Sequence, residues 1–167
     1  MPHNKKRLII LVSIILLVGC LFGIQRIIRL DNFKKYQFDE MGLSLDKGIK
    51  IIENVDTHDN FLGDGETYTV YRLTEEQLKV VKNDIVKSKY WSKMNKGQTI
   101  YIDDSKMKNK IPQNLNEGYI FLYSGNIKED AKVELKKMKV EEISLTNYSY
   151  ALLDTVNKKL YFYRWDS

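Results

Sequence analysis

The chain has 167 residues and a formal net charge of +5, from 27 Lys and Arg against 22 Asp and Glu. Residues 1–35 carry seven of the cations and one acidic residue, whereas residues 36–167 carry 20 cations and 21 acidic residues. This balance argues against a nucleic-acid-binding domain, which needs a basic surface on its folded part. Because Cys20 is the only cysteine, the sequence also excludes a disulfide framework and a thiolate zinc site.

An apolar stretch near the amino terminus predicts a membrane segment. Residues 8–24 contain no charge, and seventeen residues is near the lower limit for crossing a bilayer. Cations flank the stretch on both sides, at Lys5, Lys6, Arg7, Arg26 and Arg29. We expect residues 8–28 to form an uncleaved signal-anchor helix that follows a cytoplasmic segment of residues 1–7. Long domains translocate largely regardless of their charge, so the carboxy-terminal domain is predicted to lie outside the cytoplasm.

A lipid anchor at Cys20 is the alternative. Residues 17–20, Leu-Val-Gly-Cys, resemble the bacterial lipoprotein box, in which the cysteine is lipidated and the chain is cut before it. The signal would then end at Cys20. The residues after Cys20 remain apolar, whereas mature lipoproteins usually begin with a polar segment, and this favours the spanning helix.

The residues that follow predict a stalk and then one domain. Residues 29–45 have a mixed, polar-rich composition that is typical of a partly helical juxtamembrane stalk, and residues 46–167 are sufficient for one core. Ile49–Val55 and Glu66–Leu73 predict two antiparallel neighbouring strands. The loop between them is rich in turn-forming residues.

The clearest helix follows these strands. Thr74 and Gln77 have the spacing of a capping box, and apolar residues then recur at helical spacing, so a helix is predicted from Glu75 to Ser88. Tyr90 and Trp91 are expected to pack behind it. Three further elements are predicted downstream: a short strand at Thr99–Asp103, a central strand at Tyr119–Tyr123 and a short helix within Asn126–Glu142.

The end of the chain predicts a hairpin. Strands at Tyr148–Leu153 and Lys159–Trp165 flank a five-residue connection. Their alternation predicts one aromatic-rich face, which is expected to be buried under the main helix, and an opposite, wetter face that carries Ser149 and Arg164. The predicted fold class is therefore α+β: an N-terminal membrane helix, then a small antiparallel sheet of about five strands with one main helix packed on it.

Two stretches resemble a family of small, exported, uncharacterised bacterial proteins, mostly from Gram-positive organisms. That family has an Asp-Thr-His-Gly-Gly-Phe-His-Gly-Asp-Gly motif before a strand and a Tyr-rich hairpin at its end. The corresponding stretches here are Asp56–Thr67 and Asn147–Tyr163. The resemblance implies an export anchor and no known activity. The chain departs from the motif where Asp59 and Asn60 replace a glycine pair and Leu62 replaces the second histidine.

The motif loop contains the candidate site. Its possible ligands for a metal or another small molecule are Asp56, His58, Asp59, Asp64 and Glu66. The spacing does not fit a calcium loop, which needs oxygen ligands at alternate positions, and a zinc site would need several His or Cys. The alternative is a purely structural connection in which the Asp and Asn side chains cap their own backbone.

No catalytic motif is found, and a Gly-x-Ser-x-Gly nucleophile elbow is absent from the sequence. We therefore expect a non-enzymatic, membrane-attached extracytoplasmic domain, without a cofactor, that acts through a protein or envelope partner. The first alternative is a ligand- or metal-binding lipoprotein that uses the loop from Asp56 to Glu66. A third class, an envelope hydrolase, has no motif to support it.

Overall fold

The structure is a computed structural model that describes residues 2–44, 48–58, 64–94, 110–112, 115–124 and 147–166, with the backbone alone for residues 2–10. The chain divides into two compact units, Met1–Phe38 and Asp39–Ser167. The predicted strand at Thr99–Asp103 and the predicted helix within Asn126–Glu142 lie outside the described residues, as does most of the loop at 104–117.

The first unit is a single helix. Helix α1 begins at Pro2 and ends at Glu40, so that its last two residues belong to the second unit. Its segment Leu11–Glu40 is long and apolar enough to cross a membrane. The helix continues past Ile28 because residues 29–40 contain no Gly or Pro to interrupt it. Gly42 then takes a φ of +65°, and its N–H donates to the carbonyl of Asp39 at 3.1 Å, which closes the helix end.

In its described residues, the second unit is a six-stranded antiparallel sheet with one short helix. Its elements are β1 Lys50–Asp56, β2 Gly65–Arg72, α2 Glu75–Lys87, β3 Trp91–Lys93, β4 Gly118–Ser124, β5 Tyr148–Asp154 and β6 Lys159–Asp166. The strand order is β1-β2-β6-β5-β4-β3, and every neighbouring pair is antiparallel. The α+β prediction is confirmed, with six strands in place of about five. The strand that the sequence did not indicate is β3, whose residues were expected to pack behind the helix.

The register of the hairpin β5–β6 places its aromatic-rich residues on one face, as predicted. Tyr148 lies opposite Trp165, Tyr150 opposite Tyr163, Leu152 opposite Tyr161 and Leu153 opposite Leu160. The turn fixes this register through Asp154, whose carboxylate accepts the N–H groups of Val156 at 3.1 Å and Asn157 at 2.9 Å. Lys158 completes the turn with a φ of +53°.

One side of the sheet, here called the aromatic face, is buried as predicted. Its residues are Tyr68, Val70, Ile120, Leu122, Tyr150, Leu152, Tyr161 and Tyr163. The described residues that pack on them from outside the strands are Met94, Ile111 and Leu115, and none comes from α2. The aromatic face is therefore core, but the helix does not cover it.

The opposite side, here called the second face, is equally dry. It contains Thr69, Tyr71, Phe121, Ala151, Leu153, Leu160 and Phe162, all at most 1% exposed. Trp91 packs on this face, with its ring 5.4 Å from that of Phe121. Its Nε1 donates to the carbonyl of Met41 at 2.8 Å, which connects the chain after α1 to the same face. The expectation that this face is the wetter one is wrong, because the chain after α1 and the buried side of α2 supply a second apolar layer.

Helix α2 begins with the predicted capping box. The Oγ1 of Thr74 accepts the N–H of Gln77 at 3.2 Å, and the Oε1 of Gln77 accepts the N–H of Thr74 at 2.9 Å. Two donors at the helix start are thereby satisfied. Leu78, Val81 and Ile85 are buried on one side of the helix.

Replacing the cap tests how much this helix start stabilises the domain. We expect Thr74→Ala to lower the free energy of unfolding by about 1 kcal/mol, because the N–H of Gln77 loses its acceptor. The measurement is urea unfolding of the full chain in detergent micelles, followed by tryptophan fluorescence. Lys79→Ala, on the outer side of the same helix, is the control and should leave stability nearly unchanged; equal effects of the two variants would contradict the capping role.

Candidate functional site

Several charged and polar side chains of the domain converge at one end of the second face. Strand pairing places Asp56 opposite Thr67, Thr67 opposite Arg164, and Arg164 opposite Ser149. Since side chains at paired positions project from the same side of a sheet, one polar row crosses β1, β2, β6 and β5. This row continues the second face beyond its apolar part.

His58 lies two residues after the end of this row and contacts two carboxylates. Its Nδ1 is 2.6 Å from Oδ1 of Asp56, and its Nε2 is 3.2 Å from Oδ2 of Asp166. The backbone N–H of His58 also donates to Asp56 Oδ1, at 3.1 Å. The first carboxylate is therefore local in sequence and the second is 108 positions away. We call Asp56, His58 and Asp166 the histidine cluster.

The backbone around His58 is held by a closed end of the β1–β2 pair. Thr57 donates its N–H to the carbonyl of Glu66 at 2.9 Å, and its Oγ1 accepts the N–H of Glu66 at 2.8 Å. Gly65 faces the imidazole directly, because a Cβ at this position would lie 2.8 Å from Cγ and 2.9 Å from Cα of His58. The absence of a side chain at Gly65 is what lets the ring lie against β2.

The carboxylates determine the protonation of His58. Partial burial lowers the pKa of His58, but the hydrogen bond and charge of Asp56, followed by those of Asp166, outweigh it and raise the pKa above the usual 6.5. A raised histidine pKa stabilises the folded state fully below 6.5, and this contribution is lost as the pH rises through the folded-state pKa.

A second set of contacts extends from Asp166 into the domain. The Nε of Arg164 donates to both oxygens of Asp166, at 2.9 and 2.7 Å. Its Nη1 donates to Oε2 of Glu40 at 3.2 Å, and the hydroxyl of Ser149 donates to the other oxygen of Glu40. Burial raises the pKa of Glu40, the Ser149 hydrogen bond opposes this, and the nearby charge of Asp166 adds to it.

Among the described members of the predicted ligand set, Asp56 and His58 meet here. Asp56 and His58 are in contact, whereas alternation along β2 places Glu66 on the aromatic side, opposite to Thr67. Asp64 precedes β2, and Asp59 lies outside the described residues. In the part of the chain that the structure describes, no group of three His, Cys, Asp or Glu is arranged to hold a metal ion. The histidine cluster itself is unsuitable because its carboxylates lie on opposite nitrogens of the ring and cannot converge on one ion.

The remaining participants were missed by the sequence analysis. Glu40 and Asp166 belong to the end of α1 and the end of the chain, and no local motif connects them to the loop at His58. Arg164 and Ser149 had been placed correctly on the same face of the hairpin, but as solvent-facing residues. The available signal in the sequence was their shared face. A Ser and an Arg opposite each other on a hairpin can both donate hydrogen bonds to one carboxylate.

The geometry favours a fixed polar network over acid–base catalysis. A general base needs a ring nitrogen within hydrogen-bond reach of its substrate, and both nitrogens of His58 contact carboxylates. The Ser149 hydroxyl, a potential nucleophile, donates to Glu40. Cys20, the lipidation candidate, is an exposed free thiol within α1.

No family model, curated protein or solved structure matches the chain.

The contact between Arg164 and Glu40 should contribute measurably to stability. We expect Arg164→Met to lower the free energy of unfolding by about 1–3 kcal/mol, because Glu40, with a side chain only 13% exposed, loses a charged donor. The measurement is urea unfolding of the full chain in micelles.

Lys158→Met is the matched control. It removes the pair between Lys158 and Glu75, whose side chains are 40% and 58% exposed, and exposed pairs contribute about 0–1 kcal/mol. If the two Met variants lose the same stability, the inner position of the Arg164 pair has no energetic consequence.

Proposed function

We propose that the protein is a membrane-attached domain outside the cytoplasm that acts without enzymatic chemistry, by binding a protein or another envelope component. The observation that carries the proposal is the exposed apolar surface of α1. Thirteen large apolar residues between Leu11 and Leu30 are each more than 40% exposed. Soluble monomers rarely expose apolar patches larger than a few hundred Å², so this surface supports a lipid environment.

The dimensions of α1 support a spanning anchor. Residues 8–28 of α1 correspond to about 32 Å at 1.5 Å per residue, and a bilayer has a hydrocarbon core of about 30 Å. The cations at Arg26 and Arg29 follow the uncharged stretch and suit a headgroup region. A lipidated Cys20 would place the attachment within the same helix.

An exposed pair of tyrosines supports the partner-binding part of the proposal. Tyr90 and Tyr123 are 39% and 45% exposed, and their rings meet edge to face with centroids 6.3 Å apart. Tyrosine is enriched at protein–protein interfaces because it offers a large, rigid apolar area together with a polar hydroxyl. A second ring contact, from Tyr90 to buried Phe121 at 6.5 Å, holds the pair on the domain.

Thiol labelling tests the topology. In a Cys20→Ala background, Val156→Cys places a single thiol on an exposed turn of the domain, and we expect a membrane-impermeant maleimide to label it in intact cells. Asn4→Cys, before the anchor, is the control and should be labelled only after lysis. The reverse pattern would overturn the proposed orientation. Palmitate labelling of the unmodified chain, lost in Cys20→Ala, would select the lipid anchor over the spanning helix.

Photo-crosslinking tests the partner. We expect a benzophenone amino acid at Tyr123 of the membrane-resident protein to give adducts of defined mass, and Tyr90→Ala should reduce their yield because it removes the neighbouring ring. The same probe at Val156, which is 57% exposed in the β5–β6 turn, is the control. Identical adducts from both positions, or none from either, would count against a binding surface at the tyrosine pair.

A further inference from the structure

We propose that His58 is a pH-dependent latch: its protonated ring links Asp166, at the end of β6, to Asp56, at the end of β1, and its neutral ring releases Asp166. Among the described residues, five charged or polar side chains surround the ring directly or through a neighbour. They are Asp56 on β1, Thr67 on β2, Asp166 and Arg164 on β6, and Glu40 at the end of α1, which acts through Arg164 and Asp166.

The geometry requires a proton for each contact. A neutral imidazole has one donor nitrogen and one acceptor nitrogen, whereas an ionised carboxylate only accepts. His58 places a carboxylate oxygen at each nitrogen, at 2.6 and 3.2 Å, so both contacts are hydrogen bonds only when both nitrogens carry a proton or one carboxylate is protonated.

The ring is the more favourable place for that proton. Arg164 donates its Nε to both oxygens of Asp166, and such a charge-assisted contact stabilises the ionised carboxylate. The side chain of Asp56 is 50% exposed, so water also stabilises its charge. The raised pKa of His58 agrees with this assignment and places the transition above 6.5.

Loss of one proton breaks the Asp166 contact first. The Asp56 contact is shorter and is reinforced by the backbone N–H of His58, which donates to the same oxygen. A neutral ring therefore retains its proton on Nδ1, and the unprotonated Nε2 then faces the Asp166 carboxylate, acceptor against acceptor. Arg164 remains paired with Asp166. The end of β6 therefore loses its contact with His58 and keeps the contact between its own residues Arg164 and Asp166.

The released contact lies where the β2–β6 pairing ends. Asp166 is the register partner of Gly65, and the ring that a Cβ on Gly65 would strike belongs to His58. The neighbouring Trp165 projects from the aromatic side of β6 and packs against Tyr148 with ring centroids 5.8 Å apart, so its indole reports on the last residues of this strand. We expect higher pH to loosen the last residues of β6 while the centre of the sheet is retained.

The titration of His58 gives the first test. The chain has two histidines, so the full-length His3→Gln variant in detergent micelles shows one set of ¹³C-labelled histidine NMR signals. We expect His58 to titrate above 6.5, and Asp166→Asn and Gly65→Ala each to shift its titration to lower pH. Asp84→Asn, on α2, is the control for the loss of a distant charge and should not change it. If His58 titrates at the usual histidine pH and its midpoint does not change in Asp166→Asn, the latch is overturned.

Fluorotryptophan NMR gives a second test. If His58 had only a structural role, the Trp165 signal would not change with the protonation of His58. We expect the Trp165 signal to shift with the pH midpoint of His58, whereas the Trp91 signal serves as the internal reference. His58→Gln should hold Trp165 in the high-pH state at every pH. If this variant does not fold, the comparison of Trp165 between the unmodified chain and Asp166→Asn decides the question, and a pH-independent Trp165 signal in the unmodified chain refutes the latch.

Discussion

The pairing of β6 with both of its neighbours is the constraint on which the rest of the domain depends. β6 is paired along its whole length with β2 on one side and, from Lys159 to Trp165, with β5 on the other. Its side chains alternate between two dry layers, so that Tyr161 and Tyr163 enter one core while Leu160 and Phe162 enter the other. A domain without a disulfide depends on hydrophobic burial, and two-sided burial of a central strand provides it. A slip of one residue would invert every one of these side chains.

The same register builds the polar network. Arg164 is the position in β6 where the second face changes from apolar to charged, and its paired positions carry Thr67 and Ser149, both of which are small enough to leave room for carboxylates. Glu40 then reaches Arg164 and Ser149 from the end of α1, and Asp166 reaches His58 from the end of the chain. The network is thus a consequence of strand order, because β2 and β6 are adjacent in the sheet although they are far apart in sequence, and each is flanked by its sequence neighbour, β1 or β5.

Sequence reasoning succeeded where the determining interactions are local. The hairpin register follows from alternating aromatic residues and a short connection, and α2 follows from a capping box and its apolar spacing. It failed at the second face, because the polar character of Ser149 and Arg164 indicated solvent, whereas their partner Glu40 comes from more than 100 positions away. The candidate site divides in the same way: the proximity of Asp56 and His58 is local and was predicted, and the role of Asp166 was not.

An ion pair at the margin of a core is an expensive way to add stability, since desolvation offsets much of the attraction between the charges. The ion pair also requires one particular register of β6. Moving β6 by one residue would place Trp165 opposite Thr67 and would carry Arg164 to the aromatic side, where Tyr163 now lies. Arg164 would then lose Glu40, and Asp166 would lose His58. The apolar residues of β6 tolerate either face more readily than this arginine does, so the network supplies the penalty against misregistry that two similar hydrophobic layers lack.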